Sequence, residues 1–335
     1  MELSWSSTLG IAFLGADSPT RVTGWARDAE RVGLASAWII EDYFHPGAYA
    51  LAAAAAAVTE RLAIGLGVVN PYTRHPALVA METAALAGIA PGRVVLGLGS
   101  SNRPWIERQM AIPFKTPLGG LREGVEIVRR LLAGERVTFR GETFTVEDVH
   151  LEWTPRERTP LLLGVKGPRA LRLAGEIADG VICSLLSSPG HVRRVRRTAG
   201  ARGPFAVLAY VLTSIDRDGR RARDAVRPLL ARYLGVLHSQ SILADAGLGP
   251  ERTQPFRDAL GSGAAAAHLV ADELIDALAV AGTPEHCRQQ LARWAEAGLH
   301  APIAVLPGDG DLADRIPLCA ETLLPAWNEL AESRA

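Results

Sequence analysis

The chain has 335 residues, 48% of them apolar, with 36 basic residues matched by 36 acidic ones. That length can bury a large core and favours one α/β domain over two unrelated ones. Zero net charge provides no overall field to recruit nucleic acid or an anionic membrane, and the scattered Cys183, Cys287 and Cys319 have neither zinc-site nor disulfide spacing, which fits a reducing cytoplasm.

The first run, MELSWSSTLGIAFLGADSP, has no basic residue ahead of its short apolar segment, so it reads as a strand near Leu9 to Phe13 rather than as a signal peptide. A helix near Thr20 to Arg31 leads to a second strand, Ser36 to Ile40, which ends on Glu41, Asp42, Tyr43 and His45. The apolar tract that follows, Ala48 to Val58, is too short to cross a bilayer and lies within a helix predicted for Gly47 to Thr59. The third strand, Leu62 to Val69, holds Gly65 and Gly67, stops on Asn70, Tyr72, Thr73, Arg74 and His75, and passes into a helix at Pro76 to Ala87. Glycine weakens a strand, so two within three residues predict a bulge or a close approach of a ligand to the backbone.

The fourth strand, Val94 to Gly97, leaves through GLGSSN, which lacks the third glycine of a dinucleotide fingerprint; a tight turn and a phosphate cradle are both open readings. A helix at Pro117 to Ala133 precedes Gly134 to Pro160, which alternates like a hairpin around Gly141. Strands near Leu161 to Val165, Gly180 to Ser184, Phe205 to Ser214 and Pro302 to Leu306 complete a set of eight. They alternate with helices near Pro168 to Ile177, Pro189 to Thr198, Asp218 to Leu237 and Pro284 to Ala297. This is the pattern of parallel βαβ units, closed into a barrel or laid out as an open doubly wound sheet. The hairpin at 134–160 and the glycine- and alanine-rich stretch 238–271 read as insertions on that scaffold. The seven tryptophans, Trp5, Trp25, Trp38, Trp105, Trp153, Trp294 and Trp327, show no periodic spacing; most are expected as core anchors, with Trp38 nearest the strand-end cluster.

Polar residues at strand C-termini are where such a scaffold assembles catalytic groups. On that ground Glu41, Asp42, Tyr43 and His45 are candidate catalytic residues, although Asp42 and His45 could equally cap the next helix. Arg74 and His75 could hold an anion or work as acid and base, and His75, directly before Pro76, could merely cap a helix. The loop Gly164-Val165-Lys166-Gly167-Pro168-Arg169 opens a helix whose free amides, with Lys166 and Arg169 beside them, could hold a phosphate; an ordinary exposed loop is the alternative.

The segments WIIEDYFHP, TERLAIGLGVVNPYTRHPALVAMETAALAG, GRVVLGLGSSNRPWIE, LREGVEIVRRLLAGERVTFRGETF, ADGVICS and AVAGTPEHCRQQLARWAEAG together resemble the bacterial-luciferase-like superfamily. Within it they are similar to the deazaflavin-dependent branch related to methylenetetrahydromethanopterin reductase. The resemblance implies a single (β/α)8 TIM barrel over residues 1–335 that binds coenzyme F420, or alternatively FMN, at the strands' C-terminal ends. It implies a bulge with a non-prolyl cis peptide at Gly67–Val68, ring contacts from Asp42 and Asn70, and a phosphate-side loop at Val165, Lys166 and Gly167. Ser100, Asn102 and Cys183 complete the expected cofactor contacts, no metal is expected, and the expected partners are a small-molecule substrate and a second copy of the chain in a homodimer. Relatives that oxidise alcohols have a histidine where Tyr43 stands, a tryptophan at Gly47 and a glutamate at Asn102; those departures point to hydride transfer onto a C=N or C=C bond. An FMN-dependent monooxygenase and a non-catalytic cofactor-binding barrel are the rival expectations.

Overall fold

The computed structural model describes residues 8–262, 265–307 and 312–333. In chain order the elements are β1 (Gly10–Phe13), α1 (Val22–Arg31), β2 (Ser36–Ile39), α2 (Ala48–Ala57), β3 (Ala63–Val69), α3 (Pro76–Ile89) and β4 (Val94–Leu98). A π-helical turn (Pro104–Gln109), α4 (Pro117–Leu132), β5 (Val137–Arg140), β6 (Thr145–Val149), β7 (Leu161–Leu163), α5 (Pro168–Ile177), β8 (Gly180–Cys183) and α6 (Pro189–Ala199) follow. The remainder is β9 (Ala206–Ile215), α7 (Gly219–Val236), α8 (Ser241–Ala244), α9 (Pro250–Ser262), α10 (Asp272–Leu278), β10 (Ala279–Gly282), α11 (Pro284–Glu296), β11 (Ala301–Val305) and α12 (Arg315–Glu332).

The strands β11, β1, β2, β3, β4, β7, β8 and β9 pair in that order, and β9 also pairs with β11, so the ring closes with every pairing parallel. This is a (β/α)8 barrel, and it resolves the choice between closed and open sheets. The chemistry of the strands explains the closure. Successive side chains point to opposite faces, and here both faces are apolar. Ile11, Phe13, Ile39, Leu66, Leu163 and Val181 pack outward among the helices. Ala12, Trp38, Val95, Leu162, Ile182 and Tyr210 fill the interior. Strands buried on both faces are what a parallel barrel requires.

All eight expected strands and all eight expected helices are present. The expected hairpin is β5 paired antiparallel with β6, its turn anchored by the Glu123 carboxylate, which accepts from the amides of Glu142, Thr143 and Phe144. The stretch 238–271 carries α8 and α9, and Gly263 and Ala264 within it lie outside the described residues. Among the described residues the helices α8, α9, α10 and α12, the π-helical turn, a 3-10 turn at Ala267–Leu269 and the short β10, which extends the sheet along the far half of β9, were not expected. Trp25, Trp38, Trp294 and Trp327 are core anchors as expected, Trp153 is an exception at 52% exposure, and Trp5 lies outside the described residues.

Candidate active site at the barrel mouth

Polar side chains gather where β2 ends. Glu41 is spent on structure: one oxygen pairs with Arg74 at 2.7 Å, and the other accepts from the Ala48 amide that opens α2. Arg74 is committed in turn, since it also pairs with Glu82 at 3.1 Å and lies over the Tyr49 ring. Its Nη1 and Nε are therefore already committed to carboxylates. Asp42, the next residue, is different. Among the described residues its carboxylate accepts no hydrogen bond, and burial pushes its pKa up against the opposing pull of His45 and Arg232. Gly15, just past β1, makes this packing possible, because a Cβ there would fall 2.8 Å from the Asp42 Cβ and 3.2 Å from that of His45. Tyr43 shares a hydrogen bond with the Thr73 hydroxyl at 3.2 Å and stands edge-on to Trp105, and burial raises its phenol pKa. His45 is exposed and closes a turn by donating its amide to the Asp42 carbonyl.

The end of β3 is irregular. Its register against β4 jumps between Leu66 and Val69, and the Gly67–Val68 peptide is cis, as is Tyr43–Phe44. The bulge turns Val68 toward the neighbouring strands, where three glycines leave it room: a Cβ at Gly97, Gly99 or Gly164 would come within 2.6 to 2.9 Å of a Val68 methyl. The glycines of GLGSSN thus serve the packing of Val68. Beyond the bulge, Asn70 is 2% exposed; its Oδ1 accepts from the Tyr72 amide at 2.7 Å, while its Nδ2 is buried with no partner. His75 is the cap of α3, accepting from the Ala77 amide at Nδ1, and burial lowers its pKa.

Two further strand ends complete the rim. After β4, Ser100 is half-buried, and the exposed Asn102 accepts from the Trp105 amide, capping the π-helical turn. After β7, Val165 is buried, and the Lys166 ammonium donates to Gln240 at 3.2 Å while its crowded surroundings push its pKa down. Gly167 is the N-cap of α5; no side chain caps that helix, and the space around a Cβ at Gly167 is open. Among the described residues no cluster of three or more His, Cys, Asp or Glu could hold a metal, and no helix is long and apolar enough to cross a membrane.

Comparison with known proteins now bears on this arrangement. The profile of the luciferase-like monooxygenase family matches residues 1–301. The chain belongs to that family. It is 30% identical over 330 residues to the 5,10-methylenetetrahydromethanopterin reductase of Archaeoglobus fulgidus, covering 94% of this chain and 98% of the relative. With the F420-dependent glucose-6-phosphate dehydrogenase of Beutenbergia cavernae it shares 38% identity over 220 residues, 59% of this chain and 65% of the relative. The solved F420-dependent tetrahydromethanopterin reductase of Methanopyrus kandleri superposes with a TM-score of 0.86 at 26% identity, over 96% of this chain and 99% of that one.

For this luciferase-like barrel one placement is a correction. Cys183 does not face the mouth: its thiol is fully buried in the layer between strands and helices, and burial pushes its pKa up to about 12. The alternation of β8 puts Ile182 inside and Cys183 outside. Several neighbours of the candidate residues were not singled out in the sequence: Gly15, Trp105, Tyr210, and Arg232 and Tyr233 of α7, which act electrostatically with Asp42. β9 is apolar on both faces, so its sequence carries no phase that would put Tyr210 inside, and the α7 pair carries no signal either.

Proposed function

We propose that this protein is a coenzyme F420-dependent oxidoreductase that transfers hydride from the reduced cofactor to a C=N or C=C bond of a small organic substrate. The observation that carries the reading is the unspent polar pair beside the bulge. Among the described residues, Asp42 has a half-buried carboxylate without a hydrogen bond, and Asn70 a buried Nδ2 that completes no hydrogen bond, although the Tyr43 phenol interacts with the Asn70 side chain. Buried polar atoms are normally satisfied, so a donor and an acceptor left open on adjacent strands fit a ligand with complementary polar edges. The relatives named as F420-dependent or as methylenetetrahydromethanopterin reductases support the choice of cofactor.

When bound, the reduced deazaflavin supplies a hydride from carbon and reacts poorly with oxygen. In this reading Asp42 and Asn70 orient its polar edge, Gly67 and Val68 support it from below, and Ser100 lies at the rim. Val165, Lys166, Gly167 and the uncapped N-terminus of α5 hold its anionic side, where free amides and a cation favour negative charge. The apolar group of Tyr72, Ile106 and Phe114, flanked by Tyr43, Met110 and Ile112, keeps water from one side of the mouth. Tyr43 and His45 are the proton donors to test; Glu41, whose two oxygens are engaged, is the weaker choice. Tyr43 in place of a histidine is the feature of this sequence that favours reduction of a double bond over oxidation of an alcohol.

Absorbance titration with F420 and, separately, FMN tests the cofactor, followed by turnover of reduced F420 with an imine and an activated alkene. Saturable F420 binding with turnover of either acceptor supports the proposal. Binding of FMN alone, with oxygen-dependent turnover, would replace it with the monooxygenase reading that the family's name carries. A homodimer is part of the same proposal: the exposed positions of α2 and α3 include Ala50, Ala57, Leu78, Met81, Ala85 and Ile89 and carry no charge, and an uncharged apolar face of this kind suits an isologous contact. Sedimentation should give twice the chain mass for the wild type and the single mass for Met81→Arg.

A further inference from the structure

The bulge leaves β3 short of partners. Its pairing with β4 passes from Leu66 opposite Leu96 to Val69 opposite Leu98, so the two residues between them have no place in that ladder. A buried carbonyl without a donor is expensive, and the Gly67 carbonyl finds its donor far away in the chain. Tyr210 on β9, 143 residues on, reaches into the barrel, and its hydroxyl donates to the Gly67 oxygen at 2.9 Å. The two strands stand diametrically opposed, four places apart in either direction around the ring of eight. The bond therefore crosses the whole interior of the barrel.

The surroundings are shaped for that bond. A side chain at residue 67 would overlap the Tyr210 hydroxyl, and one at residue 65 would overlap the Trp38 ring, so both glycines of β3 yield space to aromatic groups lying inside the barrel. Tyr210 is 6% exposed and Trp38 fully buried, so neither has room to swing away. On the other side of the bulge, Val68 is seated among Gly97, Gly99 and Gly164. The bulge is thus gripped twice, by its carbonyl from the opposite wall and by its valine from the adjacent strands. Burial and the nearby Asp42 charge both raise the Tyr210 pKa, which keeps the phenol in its donor form.

We propose that Tyr210 is a positioning residue: acting through the Gly67 carbonyl, it fixes the bulge of β3 on which, in the functional reading above, the cofactor rests. It touches neither the substrate nor the reacting atoms. Removing its hydroxyl leaves the ring, the packing and every other contact of the barrel in place, so its effect should be local to the bulge and to what sits on the bulge.

Tyr210→Phe tests this in two steps. In the protein without cofactor, amide hydrogen exchange at Val68, Val69 and Asn70 should quicken about tenfold, the factor expected from losing one buried hydrogen bond, while exchange in β7, β8 and β11 stays as in the wild type. Unchanged exchange at the bulge overturns the proposal, whatever the cofactor proves to be. In the second step the variant should bind F420 about tenfold more weakly with an altered absorbance difference spectrum. Wild-type affinity and spectrum, despite faster exchange, would reduce Tyr210 to a structural role and also overturn the proposal. A wild-type protein that binds no F420 at all would instead sink the functional reading, and the exchange result would still decide whether Tyr210 holds the bulge. Should Tyr210→Phe fail to fold, the wild type remains informative: a slowly exchanging Tyr210 hydroxyl proton, seen by NMR with a cross-peak to Val68, supports the bond, and its absence counts against it.

Discussion

The two ends of the barrel handle polar groups in opposite ways. At the end where the strands begin, charges are saturated. Glu30 accepts from the amides of Glu60, Arg61 and Leu62 ahead of β3. Arg93 donates to the Thr59 hydroxyl and to the carbonyls of Leu62 and Ala56. Asp179 accepts from the Leu161 amide and pairs with Arg158 at 2.6 Å. At the end where the strands finish, Asp42 and the Nδ2 of Asn70 are left open. One end is built to hold the barrel together, and the other keeps binding capacity at the expense of stability. Substitutions at the two ends should therefore differ in sign as well as in size.

The largest effect is expected at the bulge. Gly67→Val would drive a branched side chain into the Tyr210 hydroxyl and the Trp38 ring, neither of which can retreat. Overpacking of this kind costs about 1–3 kcal/mol, with backbone adjustment. Urea unfolding should show that loss, and F420 titration should lose its signal even where the variant remains folded. A variant with wild-type stability and affinity would mean that the interior beneath β3 is looser than the packing indicates.

The next pair of substitutions sets the two ends against each other. Glu30→Ala leaves three strand-start amides without their acceptor and should destabilise by about 1 kcal/mol without affecting cofactor affinity. Asp42→Asn removes a half-buried charge that has no hydrogen-bond donor, so it should stabilise by about 0.5–1 kcal/mol while weakening F420 binding at least tenfold, the value of a charge-assisted bond. The pH dependence sharpens the contrast. The Glu30 carboxyl is raised by burial, but the three amide bonds outweigh that and leave it below its ordinary 4.5. Its stabilisation is therefore complete above pH 4.5 and disappears as the pH falls through the lowered value. Asp42 sits above its ordinary 3.8, so the protonated acid favours the fold below pH 3.8 and that contribution is lost as the pH rises through the raised value. Thermal melts from pH 3 upward should show the Glu30→Ala deficit growing with pH and then levelling, and the Asp42→Asn advantage growing over a higher range.

How much of this was legible in the sequence follows the same division. Strand and helix positions were readable because βαβ alternation, proline at helix starts and doubly apolar strands are local signals. The bulge was readable from Gly65 and Gly67. What could not be read was whatever depends on opposing walls. Tyr210 meets Gly67 only because the ring closes, and the glycines at 97, 99 and 164 make sense only once Val68 is known to lean over them. Helices α9 and α12, with interior prolines Pro255 and Pro325, were not expected, but an interior proline is not the whole reason, since α7 was expected across its own Pro228. Glu41 looked catalytic by its place in the chain, and only the positions of Arg74 and the α2 terminus reveal it as a structural anchor.

Cys183 supplies the smallest expected effect and tests whether strand phase alone separates the mouth from the wall. It ends β8 one residue beyond Ile182, so the alternation of side chains sends it among the helices, fully buried and beside no polar partner. Cys183→Ala deletes one buried sulfur and should cost about 1 kcal/mol as a small cavity, read by urea unfolding. Its F420 affinity should stay within about twofold of the wild type, below the roughly 1.4 kcal/mol that a tenfold change represents. If affinity instead fell as far as it should in Asp42→Asn, the end of β8 would have to turn its side chains the other way, and the inward place given to Ile182 would go with it.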